Sequence, residues 1–327
     1  MNDNYILVTG GAGYIGSHFV KLLKEKKHKI IVLDNLSRGH KESIPENVIF
    51  EEVDLLDKEK LRVTLSKYNI DAVVHFAAFA YVGESVINPS IYYENNVVGS
   101  YNLIDACREF NINNFILSST CSIYGNPESV PISEETSTQP INPYAISKYI
   151  VELILKDYNK SYNLNYLILR YFNAAGCDFD GNIGESHDPE PHLIPLVIDT
   201  ALGHRDKIKI FGDDYPTKDG TCIRDYIHVN DLADAHLKGI QYLSDGKSST
   251  LINLGTSVGN SVKEIINKVE DISRVKINSE IVERRTGDPA ILIADNEKAK
   301  ILLDWEPKFD LEKIIESAFN WQKNKKF

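Results

Sequence analysis

Cysteine is scarce in this 327-residue chain, and its four copies stand apart at Cys107, Cys121, Cys177 and Cys222. No CxxC pair or zinc spacing joins them, which excludes a cysteine-held metal fold; four reduced thiols are expected. Also missing is any apolar run near the ~20 residues that a membrane-spanning helix needs. The opening MNDN lacks the basic-then-apolar pattern of a secretory signal, so a cytoplasmic location is expected. Positive charge is in short supply too: 36 Lys and Arg against 47 Asp and Glu leave a net charge of −11. That balance argues against a nucleic-acid or membrane surface, although a phosphate ligand needs only a local pair of basic groups. The tail Lys323–Lys326 reads as a solvated end. There is no internal repeat and no low-complexity linker.

Glycine, by contrast, is concentrated where it matters. The stretch Tyr5–His18, YILVTGGAGYIGSH, runs from a β-prone segment into Gly10, Gly11, Gly13 and Gly16 and then into a helical pattern carrying Phe19, Val20, Leu22 and Leu23. Strand, glycine turn and helix is the context in which backbone N–H groups and a positive helix end meet a pyrophosphate. A second apolar run, Lys29–Asp34, ends in a carboxylate about 20 residues further on, where an adenosine ribose is hydrogen-bonded. An acid at a strand end is often only a turn cap; behind this glycine turn, ribose binding by Asp34 is the better account. A carboxylate there also disfavours a ribose 2′-phosphate, so NAD is expected over NADP.

Further apolar runs follow at Val48–Val53, Asp71–Phe76, Asn114–Ser119 and Leu164–Tyr171, with helices expected at Lys58–Tyr68, Glu94–Phe110 and Tyr144–Ser161. This alternation predicts an α/β fold: a Rossmann-type doubly wound parallel sheet. Residues 173–192 are rich in Gly, Asp, Pro and Asn and read as loop. Beyond them the chain reads as a smaller C-terminal α/β substrate domain. It has a helix near Leu193–Leu202, a strand at Lys207–Phe211, a strand at Arg224–Val229 followed by a helix, and an S-x-x-E capping box at Ser261–Glu264. The expected division is 1–172 for NAD and 173–327 for the substrate, with 224–245 free to pack back on the first part.

Tyr144 and Lys148 stand four apart in NPYAISK, so a helix places them on one face. A lysine ammonium and a cationic nicotinamide ring both favour phenolate, which suits Tyr144 to removing a proton from a substrate hydroxyl. A tyrosine packed on a lysine stem is commonplace, but directly after an NAD-binding half the catalytic reading is stronger. Ser118, Ser119, Thr120 and Ser122 lie near the C-terminal end of a strand, the edge where such sheets bind ligands.

Taken together, these features resemble the extended short-chain dehydrogenase/reductase family, and within it the nucleotide-sugar 4-epimerases. VTGGAGYIGSH, LDNLSRG, HFAAFAYVGESV, YYENNVVGSYNLI, NPYAISK, LRYFNAAG, FGDDYPTKDGTCIRDYIHVNDLADAH, NLGTSVGNSV and RRTGDPA carry the resemblance over nearly the whole chain. It implies NAD contacts from Gly10, Gly13, Tyr14, Ile15, Gly16, Asp34, Asn35, Asp54, Leu55, Phe76, Ala77, Asn95, Lys148 and Phe172. It makes Tyr144 the base, with Lys148 and Thr120 completing the catalytic group. It also brings Asn173, His192, Leu193, Phe211, Arg224, Arg285, Asp288 and Leu292, with Thr120 and Tyr144, to a UDP-sugar. The two arginines suit that role independently, because guanidinium forks match diphosphate oxygens. The implied reaction interconverts UDP-galactose and UDP-glucose in galactose metabolism, and a homodimer is implied. Three positions depart from the pattern: Ala80 where some relatives carry Lys, His192 where some carry Asn, and Leu292 where others have Tyr or a small residue. Acceptance of UDP-N-acetyl sugars therefore stays open. A 4,6-dehydratase of the same family would place an Asp-Glu pair after the threonine; Cys121 and Ser122 stand there instead.

Overall fold

The computed structural model describes residues 4–285 and 287–327. The strands in chain order are β1 (Tyr5–Thr9), β2 (Ile30–Asp34), β3 (Ile49–Glu52), β4 (Ile70–His75), β5 (Asn114–Thr120), β6 (Asn165–Tyr171) and β7 (Asn173–Ala175). They continue with β8 (Ile208–Phe211), β9 (Ile223–His228), β10 (Thr250–Leu254), β11 (Gly259–Ser261), β12 (Ser279–Val282) and β13 (Ile291–Leu292). Seven of them form one sheet in the order β10-β6-β5-β4-β1-β2-β3, and every neighbouring pair is parallel.

Such strands bury both faces, which is why β2 reads IIVLD with no exposed position. On one face lie Phe19, Val20 and Leu23 of the helix Tyr14–Glu25, with Leu232, Ala235 and Ile240 of the helix Val229–Ser244. On the other lie Leu61, Leu103, Cys107, Val151 and Leu155. The sheet is doubly wound, as the alternating pattern predicts. The chain grows outward from β1 to β3 and then resumes at β4 on the other side of β1, so the crevice beyond β1 and β4 is the topological switch point.

The helix expected over Glu94–Phe110 differs in form: Tyr93–Val98 is π-helical, and an ordinary α-helix runs from Gly99 to Glu109. Asn96 explains the widened turn. Its amide oxygen accepts from the Phe79 N–H at 2.8 Å, and its Nδ2 donates to Phe79 O and Ser147 Oγ, both at 3.0 Å. These side-chain bonds fix the turn laterally, and π-bulges of this kind are frequent at functional sites. The helix Pro143–Tyr162 starts cleanly because Asn142 accepts from the Ala145 N–H at 2.9 Å and Pro143 occupies the first turn.

After β6 the chain builds a second, smaller region. Residues 173–175, read as loop from composition, instead form β7 because they pair with β9 in parallel. β9 also pairs with β11 and β13, while β8 pairs with β12. The helices Leu193–Ala201, Val262–Ser273 and Leu311–Lys323 bury Ile194, Val197, Ile265, Val269, Ile315 and Trp321 together. The capping box at Ser261 and Glu264 is present in full. The helix Val229–Ser244 packs on the helix Tyr14–Glu25 and on β5 and β6, and β10 is one of the two edge strands of the large sheet.

Candidate active site

At the end of β1 the chain turns on Gly10, whose φ of +71° is one that side chains resist. A Cβ there would lie 2.4 Å from Ala77 N, and one on Gly16 would lie 2.2 Å from Gly10 O. These two glycines let strand, turn and helix close on one another. Gly13 is different: a Cβ would meet only Gly10 O, at 3.3 Å, so its outer side faces no other protein group within 4 Å. Gly13 is also the N-cap of the helix Tyr14–Glu25, which has no side-chain cap and no acid in its first turn. Its leading N–H groups are therefore available to an anion.

Around this turn the carboxylate of Asp34 accepts from Ala12 N at 3.0 Å and Leu36 N at 2.9 Å. Burial pushes its pKa up, and these backbone donors oppose the rise. Asn35 Nδ2 donates to Asp54 at 3.0 Å, and the Leu55 carbonyl accepts from Asn102 at 3.0 Å. The N–H groups of Phe76 and Ala77 both donate to Thr9 O, joining the ends of β1 and β4. Asn95 sits in the π-helical turn and donates to Asn96 at 2.9 Å. These groups fit a dinucleotide: an open helix end for the pyrophosphate and a strand-end carboxylate for a ribose.

Tyr144 opens the next helix, and Lys148 follows one turn later with 4 % of its surface exposed. Among the described residues Lys148 forms no salt bridge; burial draws its pKa down to about 8, with Glu152 opposing. Burial drives the Tyr144 phenol well above its usual 10; Tyr171 reinforces this, and a hydrogen bond with Thr120 works against it. The depressed pKa expected for the phenol is thus not a property of the protein chain alone, because desolvation outweighs what its neighbours supply. Of the other hydroxyls, Ser118 is bonded to the Tyr171 hydroxyl and Ser119 donates to Glu152 at 2.7 Å. Thr120 alone among these meets Tyr144, while accepting from Ser122 N at 3.1 Å.

Sequence reasoning missed the supports beneath this group. Glu152 and Arg170 form a fully buried pair, Nε to Oε1 at 2.9 Å, tying the Tyr144 helix to β6. His75 bridges Thr9 Oγ1 at 2.6 Å and Ser100 Oγ at 2.8 Å. Because the Ser100 hydroxyl donates to Asn96 O, His75 Nε2 carries the proton and Nδ1 accepts from Thr9. The only sequence signal was polar residues at positions whose neighbours are apolar.

On the substrate side, Arg224 of β9 stands in register with Leu292 of β13 and bonds Asp288. Arg285 lies over the Phe211 ring, 4.0 Å from its centroid. Asn173 pairs with Tyr226, also on β9. Phe172 and Leu292 are buried with Cys121 and Tyr124, and the Cys121 thiol lies within the field of Arg224, so this wall connects to Thr120. Leu193 opens its helix directly behind His192. His192 itself turns toward Glu185 and Glu190.

Comparison with known proteins bears directly on this arrangement. The pattern of the NAD dependent epimerase/dehydratase family matches residues 6–255. The chain belongs to that family. Its members include a UDP-glucose 4-epimerase of Rhizobium meliloti (strain 1021), 50% identical over 321 residues and 98% of each chain. The UDP-glucose 4-epimerase of Brucella ovis, solved in complex with NAD, superposes with a TM-score of 0.95 at 46% identity over 98% of each chain. The UDP-Glc/GlcNAc 4-epimerase of Campylobacter jejuni gives 0.86 at 44% identity, covering 98% of this chain and 99% of that one.

Proposed function

We propose that this epimerase/dehydratase-family chain interconverts UDP-galactose and UDP-glucose by inverting C4 of the sugar, with NAD as resident cofactor. The observation that carries the reading is the meeting of Thr120 and the half-buried Tyr144 one helical turn from the buried Lys148. Gly10, Gly13, Tyr14, Ile15 and Gly16 would hold the cofactor's pyrophosphate side and Asp34 a ribose, with Asn35, Asp54, Leu55, Phe76, Ala77, Asn95 and Phe172 around them. When bound, NAD supplies the redox chemistry, accepting hydride from C4 and returning it.

Tyr144 Oη takes the C4 hydroxyl proton, retains it while C4 is a ketone, and returns it to the same oxygen once the sugar has presented its other face. A buried phenolate is costly, so Lys148 contributes by placing positive charge beside it. Thr120 donates to the phenolate and lines up the substrate oxygen. Arg224 and Arg285 grip the diphosphate, and Asp288 orients Arg224. Asn173, Leu193, Phe211 and Leu292 complete the pocket, with His192 at its border. Because the grip is on UDP, the keto-sugar is free to turn and present its other face.

Dehydration within the same family is disfavoured by Cys121, where an acid would be needed. Its thiol is buried, with a pKa pushed up to about 12. A homodimer is proposed through the Gly99–Glu109 and Pro143–Tyr162 helices, supported by the exposed Tyr101, Leu153 and Tyr162 on them. A cytoplasmic location is supported by the four free cysteines. Among the described residues, no helix is long and apolar enough to cross a membrane. The deciding experiment supplies UDP-galactose to the purified protein without added cofactor and follows UDP-glucose. Formation is expected; none, even with NAD+ added, overturns the proposal.

A further inference from the structure

The loop leading into the helix Leu193–Ala201 carries Glu185, His187, Glu190 and His192 in the spacing E-x-H-x-x-E-x-H. Each turns one ligand atom inward, and the four atoms lie within 4.8 Å of one another. Both imidazoles present Nδ1. His192 Nδ1 is 2.7 Å from Glu185 Oε1 and 2.9 Å from Glu190 Oε1; His187 Nδ1 is 3.4 Å from Glu185 and 3.3 Å from Glu190.

A second observation points to a ligand. The Glu185 side chain is 4% exposed, and its Oε1 accepts no hydrogen bond although it faces both rings. The two ring nitrogens are spent on Glu190. Its compensation is ionic rather than a hydrogen bond, from the His192 ring nitrogen 2.7 Å away, and a cation among the four atoms would supply a direct ligand bond in its place.

We propose that Glu185, His187, Glu190 and His192 bind a divalent transition-metal cation of the zinc type. Two imidazoles argue against calcium and magnesium, which take oxygen, and the lack of thiolate argues against a soft metal. Tetrahedral ligands at ~2.0–2.1 Å from zinc stand roughly 3.3 Å apart, so the four donors need only small shifts. The backbone that carries them is already held: Trp321 Nε1 donates to Glu185 O at 2.8 Å, and Ser186 Oγ donates to Phe327 O at 2.9 Å.

Four protein ligands make a closed, structural site. It would clamp the loop beside Tyr14 and Tyr81, whose rings lie 6.2 and 5.6 Å from that of His187, and fix the start of the helix that carries Leu193. The metal replaces protons that the two carboxylates otherwise hold on the imidazoles. Both imidazoles must be unprotonated to ligate, so uptake strengthens as pH rises.

The test is calorimetric titration of the EDTA-treated, desalted full chain with zinc, in two buffers of different ionisation enthalpy. One zinc per chain is expected. The His187→Ala/His192→Ala double variant should bind at least roughly 100-fold more weakly. Since that variant could lose its fold, cobalt is also added to the unaltered protein. A visible spectrum of four-coordinate nitrogen and oxygen ligation is expected, without a thiolate charge-transfer band. No saturable uptake, a thiolate band, or equally tight binding by a folded double variant would overturn the proposal. Each readout is of binding and is independent of turnover.

Discussion

The histidines packed around the large sheet and those on the loop before Leu193 are driven toward opposite charge states. Burial lowers His18 and His236 to about 4 and His75 to about 3. Burial acts in the same sense on His187 and His192, yet the Glu185 and Glu190 carboxylates overcome it and raise both, His192 to about 10. Their counterpart Glu185 is held below the usual carboxylate range despite its own desolvation, chiefly by His192. The difference lies in the partners. Around the sheet, rings meet hydroxyls and carbonyls; on the loop they meet carboxylates. One region keeps its histidines neutral, and the other holds them charged.

The largest test of that contrast is Tyr144, another sheet-side group that burial keeps neutral but whose proposed work requires ionisation. Tyr144→Phe is expected to lower kcat by about 10³-fold or more while UDP affinity measured by calorimetry stays unchanged. A near-normal rate would remove the base assignment. Next comes acid stability. With folded pKa values of 3 to 4 against about 6.5 unfolded, the sheet-side histidines give stability that is complete above pH 6.5. It is lost as pH falls toward 4, at about 1.4 kcal/mol per histidine per pH unit. Urea melts from pH 7 to 5 should show the fall, and His75→Gln should remove one proton from its slope.

His192 should behave in the reverse sense. Its folded pKa of about 10 makes its contribution complete below pH 6.5 and lost as pH rises through 10. In the EDTA-treated protein, the thermal stability gap between the unaltered chain and His192→Ala should narrow across that window; a gap constant with pH would break the contrast. A smaller effect belongs to Leu292, buried where the two regions meet. Leu292→Gly should raise the ratio of UDP-N-acetylglucosamine to UDP-glucose turnover by about 10-fold, the order of effect expected of a few methylenes in an apolar pocket.

Much of the sheet region was legible because its code is local. Apolar strands alternate with helices at short range, and the glycine turn and Asp34 fall at fixed separations from β1. Tyr144 and Lys148 were readable from helical spacing alone. The smaller region was harder to read. β7, β11 and β13 are two or three residues long and exist only because β9 lies beside them, so no local pattern announces them. The π-helical turn was hidden because its cause, Asn96 bonding Phe79 and Ser147, is a tertiary one. Composition marked residues 173–192 as turn-rich, correctly beyond the short strand at 173–175, but judging His192 singly obscured the pairing of Glu185 with Glu190 and His187 with His192. The partial covering of Tyr144 was likewise invisible, since desolvation depends on what packs over a residue.

The position of β10 carries a consequence for how the protein is made. This edge strand of the large sheet is encoded at Thr250–Leu254, some distance after the strand it pairs with, Asn165–Tyr171. While the ribosome is still adding the residues between them, β6 is a bare edge. The sheet face later covered by Leu232, Ala235 and Ile240 is also open to water. Such an edge invites pairing with another nascent chain. A polypeptide released early, at residue 200 for example, would therefore be a natural client for chaperones.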